Sequence, residues 1–282
     1  MEKPQGFDNL SQRQAVADPA SALEPQPATV PEQPSGFEKI IYLKDRKFSM
    51  LKKDLIFRNP LRLVGEQTED VLPEGGFGAV LARAGVGKTA LLIQLALNGL
   101  LRSKNVLHIS LNDPVSKVCL WYEEVFRNIA AHYHVNQTDL LWETILPHRF
   151  IMTFKVEGFS VPTLEERLTD LTEQGIFLPQ IIVIDGLPFD DSVRGALSAL
   201  KSLVKSHGAR VWFTVRTHRH EEPGPDGMPA PLVGVADLFE VAIQLQPEGK
   251  EIHVKVLKGG TPTSDLRPLQ LDPATMLIKD EG

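Results

Sequence analysis

The stretch Ala82-Arg-Ala-Gly-Val-Gly-Lys-Thr89 decides how this chain is read. Gly85 and Gly87 let the backbone approach a phosphate closely, Lys88 brings a positive charge, and Thr89 brings a hydroxyl that suits Mg²⁺. The segment Ala84, Gly85, Val86, Gly87, Lys88, Thr89 and Ala90 is the candidate cradle for phosphate oxygens. Ala82 stands where the eight-residue pattern usually has its first glycine, and a small residue still fits a turn at a strand end. The flanks agree with the motif. Phe77 to Leu81 is a short apolar run suited to a buried strand, and Thr89 to Leu97 has helical spacing. A helix starting at Thr89 points its positive dipole end at the phosphates.

Outward from this stretch the sequence alternates between strands and helices. Apolar strand runs fall at 105–111, 149–154, 180–184 and 210–215, and helical patterns at 115–131, 164–173 and 193–205. Strands that are apolar on both faces, separated by amphipathic helices, predict an α/β fold with a mainly parallel central sheet flanked by helices. Two runs at 240–245 and 251–257, parted by Pro247-Glu-Gly-Lys250, predict a C-terminal antiparallel hairpin. Further short strands are expected at 269–271 and near Met276, and the Pro- and Gly-rich stretch from His218 to Gly234 reads as a mobile loop.

Domain boundaries follow from composition. Residues 1–36 carry six prolines, no apolar periodicity, and five acids against two bases, which predicts a disordered tail. Residues 37–64 reverse the charge, with Lys39, Lys44, Arg46, Lys47, Lys52, Lys53, Arg58 and Arg62 around Tyr42, Phe48 and Phe57. One reading is a strip for nucleic acid or an acidic partner. The preferred one is a lead-in element that docks its apolar residues and keeps its lysines solvated. Residues 65–282 form the expected catalytic-type domain. A net charge of −6 argues against bulk attraction to nucleic acid or anionic membrane. The single cysteine, Cys119, excludes an internal disulfide, and without a signal-like start or a run long enough to span a bilayer the expected location is cytoplasmic.

The second half of the site is Ile181-Ile-Val-Ile-Asp185. A buried strand ending in Asp presents a carboxylate beside the phosphate loop, so Thr89 and Asp185 are the candidate Mg²⁺ residues. Asp190 and Asp191 read as caps of the next helix.

With these elements in order, residues 65–280 resemble the RecA-like P-loop ATPases, in the branch of KaiC, RadA and DnaB. Leu72-Pro-Glu-Gly-Gly76, Val235 to Leu245, and Val256-Leu-Lys-Gly-Gly-Thr-Pro-Thr263 look like that family's lead-in, its Ala-Asp segment and its late strand end. The resemblance implies ATP and Mg²⁺ as ligands and a homo-oligomer with ATP sites between subunits. It implies that Lys258 reaches a neighbour's γ-phosphate and that Thr217, with His218, senses the γ-phosphate. The family's usual arginine two residues after the lysine is Gly260 here. The family's water-activating glutamate is replaced by Asn112, followed by Asp113. An amide orients water but cannot act as a base, and Asp113 substitutes only if the loop shifts.

The expected function is therefore a slow or regulatory ATPase acting through nucleotide-dependent assembly. Two alternatives stand beside it, a DNA-dependent ATPase and a non-hydrolysing ATP-binding scaffold. Acidic Glu221, Glu222 and Asp226 in the 218–234 loop weigh against DNA. With no Asn-Lys-x-Asp motif, ATP is expected rather than GTP. The His132/His134 and His218/His220 pairs lie on a helix end and a loop, so a metal other than Mg²⁺ is not expected. Trp121, Tyr122 and Phe126, at helical spacing, read as core.

Overall fold

Strand parity, two residues per repeat, determines which side chains meet which helices. The computed structural model describes residues 71–224, 226–259 and 269–279, together with Lys52, Leu55 and Ile56. The expectations for the 1–36 tail, and for the 37–64 lead-in apart from those three residues, lie outside the described residues. All described residues belong to the compact unit 43–282.

The strands are β1 (Phe77–Ala82), β2 (Val106–Ser110), β3 (Arg149–Thr153), β4 (Ile181–Asp185), β5 (Arg210–Arg216), β6 (Val241–Glu248), β7 (Glu251–Lys258), β8 (Leu269–Leu271) and β9 (Ile278–Lys279). The helices are α1 (Lys88–Leu101), α2 (Val115–His132), α3 (Thr138–Ile145), α4 (Val161–Glu173), α5 (Val193–Ser206) and the short α6 (Ala230–Val233). They build one sheet in the order β3-β2-β4-β5-β1-β6-β7-β8-β9. The six strands from β3 to β6 run parallel, and β7 to β9 continue the sheet antiparallel. The fold is thus α/β, with a mostly parallel central sheet between helices and an antiparallel C-terminal hairpin.

Even-numbered residues of β1 (Val80, Ala82) pack with α1, α2 and α3 in one core, while Phe77, Ala79 and Leu81 pack with α4 and α5 in the other. The same parity puts Trp212 of β5 in the first core and Val211, Phe213 and Val215 in the second. Each face of the sheet therefore buries about half of each central strand, β1, β2, β4 and β5, which is why these read as continuous apolar runs. The helix after β1 leaves toward the first face, whereas the chain after β5 returns along the second through Leu232, Val235 and Phe239. In a sheet wound this way, ligands bind beyond the carboxyl ends of neighbouring strands whose connections diverge. Here those strands are β1 and β5.

Two details differ from the sequence expectation and a third sharpens it. Helix α3 is not anticipated; it is eight residues long and buries only Leu141 and Ile145, too little for a periodicity to stand out. The last strand, expected near Met276, falls at Ile278–Lys279; Met276 itself lies in a tight turn with φ 57° and donates its N–H to the Asp272 carbonyl at 2.7 Å. The second half of the 218–234 loop is docked: Leu232 is fully buried and Pro229 is buried beside it.

Two buried polar residues fix the helices against the sheet. His108 of β2 meets the Tyr122 hydroxyl of α2 at 3.1 Å, and burial, with Arg149 nearby, pushes its imidazole down to about 4, so it is neutral near pH 7. Gln94, in the middle of α1, donates to the Met276 carbonyl at 2.6 Å and accepts from the Ile278 N–H at 3.1 Å. It thereby ties the C-terminal turn to the helix that follows β1. Gln94→Ala is expected to lower the unfolding free energy by about 2 kcal/mol, because it leaves the buried Ile278 N–H and the half-buried Met276 carbonyl without this partner. Urea denaturation checks this, with the midpoint falling and the slope unchanged.

Candidate functional site

The loop between β1 and α1 is shaped by its glycines. Gly85 and Gly87 have φ of 77° and 105°, and Gly87 occupies the N-cap of α1 with no side chain capping the helix. A Cβ on Gly87 would sit 2.9 Å from Leu271 Cδ2, and the left-handed φ strains any other residue there. The first-turn N–H groups of α1 are thus left available at a positive dipole end. Ala82 closes β1 with its methyl group buried, and its carbonyl accepts from Thr217 N at 3.0 Å. An alanine is accommodated at this position.

Lys88 folds back across the loop, where its Nζ donates to the carbonyls of Ala82 at 3.0 Å and Arg83 at 2.9 Å. Partial burial holds its pKa below the ordinary lysine value; Asp185 opposes that shift and Arg216 adds to it. Thr89 donates its hydroxyl to Asp185 Oδ2 at 2.9 Å, although the two are ninety-six residues apart in sequence. The other carboxylate oxygen, Oδ1, accepts from the Thr214 hydroxyl at 2.6 Å, and Thr214 in turn accepts from Gly186 N at 3.0 Å. Both oxygens of Asp185 are therefore aimed by hydroxyl groups. Thr214→Val keeps the shape but removes the buried donor. It is expected to weaken any Mg²⁺-dependent ligand binding about tenfold, as measured by titration with and without the metal.

Asn112 is brought to the same place. The Leu111 N–H donates to the Asp185 carbonyl at 3.0 Å, which sets the end of β2 beside the end of β4. The Asn112 amide then lies over Gly186, whose hydrogen leaves just enough room: a Cβ there would be 2.1 Å from Asn112 Nδ2. Lys88, Thr89, Asn112, Asp185, Gly186, Thr214 and Arg216 line one cleft of about 550 Å³. A second cleft of about 440 Å³, lined by Arg83, Thr217, Arg219 and Gln244, adjoins it, and His218 and Glu221 line both.

Other residues singled out from the sequence lie elsewhere. Asp113 turns onto α2, where it pairs with Lys117 at 2.8 Å, and it does not line the cleft. Thr217 lines the second cleft, because strand parity turns it away from the face that carries Thr214 and Arg216. Lys258 donates to the Ala236 carbonyl at 2.7 Å and pairs in register with Ala242, itself opposite Ala79. At about 3.3 Å per residue, that level is about 10 Å back along β1 from Ala82. Asp190 does shape the start of α5, accepting from Ser192 N at 2.9 Å, although Ser192 occupies the N-cap position. Among the described residues, no three His, Cys, Asp or Glu side chains converge as a zinc site requires.

Thr214 and Arg216 are the site residues that sequence reasoning missed. Their signal was present: polar side chains at alternate positions of an otherwise apolar strand share one face. No family model matches the chain and no curated protein matches it, so the reading of the cleft rests on its geometry.

Proposed function

We propose that the cleft binds ATP with Mg²⁺ and that the chain is a RecA-like P-loop ATPase of slow or regulatory type. The observation that carries this reading is the convergence on Asp185. A glycine loop with its lysine and threonine hydroxyl meets a strand-end carboxylate ninety-six residues further along the chain, beyond the carboxyl ends of β1, β5 and β4. A triphosphate suits the loop, whose free N–H groups and Lys88 supply positive potential. Mg²⁺ suits Thr89 and Asp185, since it takes few protein oxygens and keeps water and phosphate for the rest. When bound, it would neutralise phosphate charge. The chain's own residues position the phosphates and hold Asp185 in one orientation.

Intersubunit action is part of the proposal. Lys258 is held at a level behind its own phosphate loop, so any phosphate it contacts belongs to a second copy of the chain. Nucleotide-dependent assembly follows from such a site. Asn112, seated against Gly186 where a carboxylate base would serve, favours a second reading, a scaffold that binds ATP without turning it over. Turnover and solution mass, measured with ATP, with ADP and with added single-stranded DNA, separate these readings. Slow multiple turnover with a mass that rises in ATP supports the regulatory ATPase. A fast rate that depends on DNA, or a mass indifferent to nucleotide, contradicts it.

A further inference from the structure

Arg216 ends β5, and its register partner is Ala82, the residue at which the phosphate loop begins. Parity sets its side chain on the face of Thr214, the donor to Asp185, and its guanidinium lines the cleft with Lys88, Thr89 and Asn112. It is exposed, and among the described residues no hydrogen bond or ion pair holds it. The nearby loop acid, Glu221, instead accepts from the backbone N–H of His218 at 3.3 Å. Arg216 and Lys88 therefore face one cleft as two cations, and their mutual repulsion is relieved by an anion between them. The arginine expected late in the chain is replaced by Gly260, and Lys258 is tied to Ala236. Of the described residues lining this cleft, Arg216 is the only arginine.

We propose that Arg216 is a catalytic residue acting in cis: its guanidinium contacts the γ-phosphate of ATP held by Lys88 and Thr89 of the same chain. This rests on the cleft being the ATP site. In hydrolysis, the oxygen of water bonds to the γ-phosphorus as the bond from that phosphorus to the β–γ bridging oxygen breaks. The bridging oxygen leaves with its electron pair on ADP, and the water's protons go to inorganic phosphate and to solvent. Arg216 holds the equatorial oxygens of the transferring group while this charge redistributes. A guanidinium at this place distinguishes triphosphate from diphosphate within one chain, so the site reads the γ-phosphate without a neighbour's arginine.

The test is equilibrium titration of ATP and ADP, in Mg²⁺, against wild type, Arg216→Lys and Arg216→Gln. Arg216→Gln is expected to weaken ATP about tenfold or more while ADP stays within about twofold, with Arg216→Lys between. Melting temperature without nucleotide should not move, because the side chain is exposed. Equal losses for ATP and ADP, or no loss for ATP, overturn the inference while the ATP site stands. Recovery of tight ATP sites on mixing Arg216→Gln with Lys88→Ala chains also overturns it, because the arginine would then act in trans. Wild type that binds neither nucleotide overturns both this inference and the function on which it rests.

Discussion

Lys88→Ala should abolish useful ATP binding, raising the dissociation constant about a hundredfold. The ammonium is the charge closest to the centre of the loop, and it already reaches the carbonyls of Ala82 and Arg83 at 3.0 and 2.9 Å. Those contacts can be exchanged for phosphate oxygens without moving the backbone. A charge-assisted hydrogen bond in such a place is worth about 1.5–3 kcal/mol. A loss near the top of that range is about two orders of magnitude in affinity. The fold should survive, because the side chain is only partly buried and belongs to neither core. Circular dichroism together with titration separates loss of binding from loss of structure.

Asn112→Glu should raise the rate of ATP hydrolysis by about two orders of magnitude, the lower part of the range for a positioned general base. The place is right and the chemistry is missing. The Asn112 amide lies against Gly186 beside Asp185, within the same cleft as Lys88 and Thr89. An amide can align a water molecule but takes no proton from it. Glutamate is one methylene longer, and Asn112 is exposed, so the added length extends into the cleft without displacing Gly186. A gain in turnover, with ATP affinity little changed, shows that the site lacks only its base. A wild type that already turns over at the rate of the variant contradicts this account of Asn112.

The fold was largely legible because the central strands are buried on both faces and the outer helices α2, α4 and α5 on one. Ile181-Ile-Val-Ile and Arg210 to Val215 could be nothing but interior strands once helices flanked them. Helix α3 escaped notice because two buried residues in eight carry no period. That the glycine loop, Thr89 and Asp185 would lie together was legible, because a glycine-rich turn between strand and helix and an Asp ending a buried strand recur at fixed places in a parallel sheet. Thr214 and Arg216 were not, since their role depends on which face of β5 meets α1, and that is settled by strand order and register. The same geometry moved attention away from Thr217, one residue beyond Arg216 and on the other face. Asp113 was a plausible base by proximity in sequence, but the turn into α2 gives it to Lys117 instead.

The most direct test of the account is equilibrium binding of ATP to the wild-type chain, with Mg²⁺ and with the metal chelated. Saturable binding of one ATP per chain, weakened about tenfold or more when Mg²⁺ is removed, is the predicted result. ATP that fails to bind at millimolar concentration, or binds equally well without the metal, would contradict the reading of Lys88, Thr89 and Asp185 as a phosphate and Mg²⁺ site.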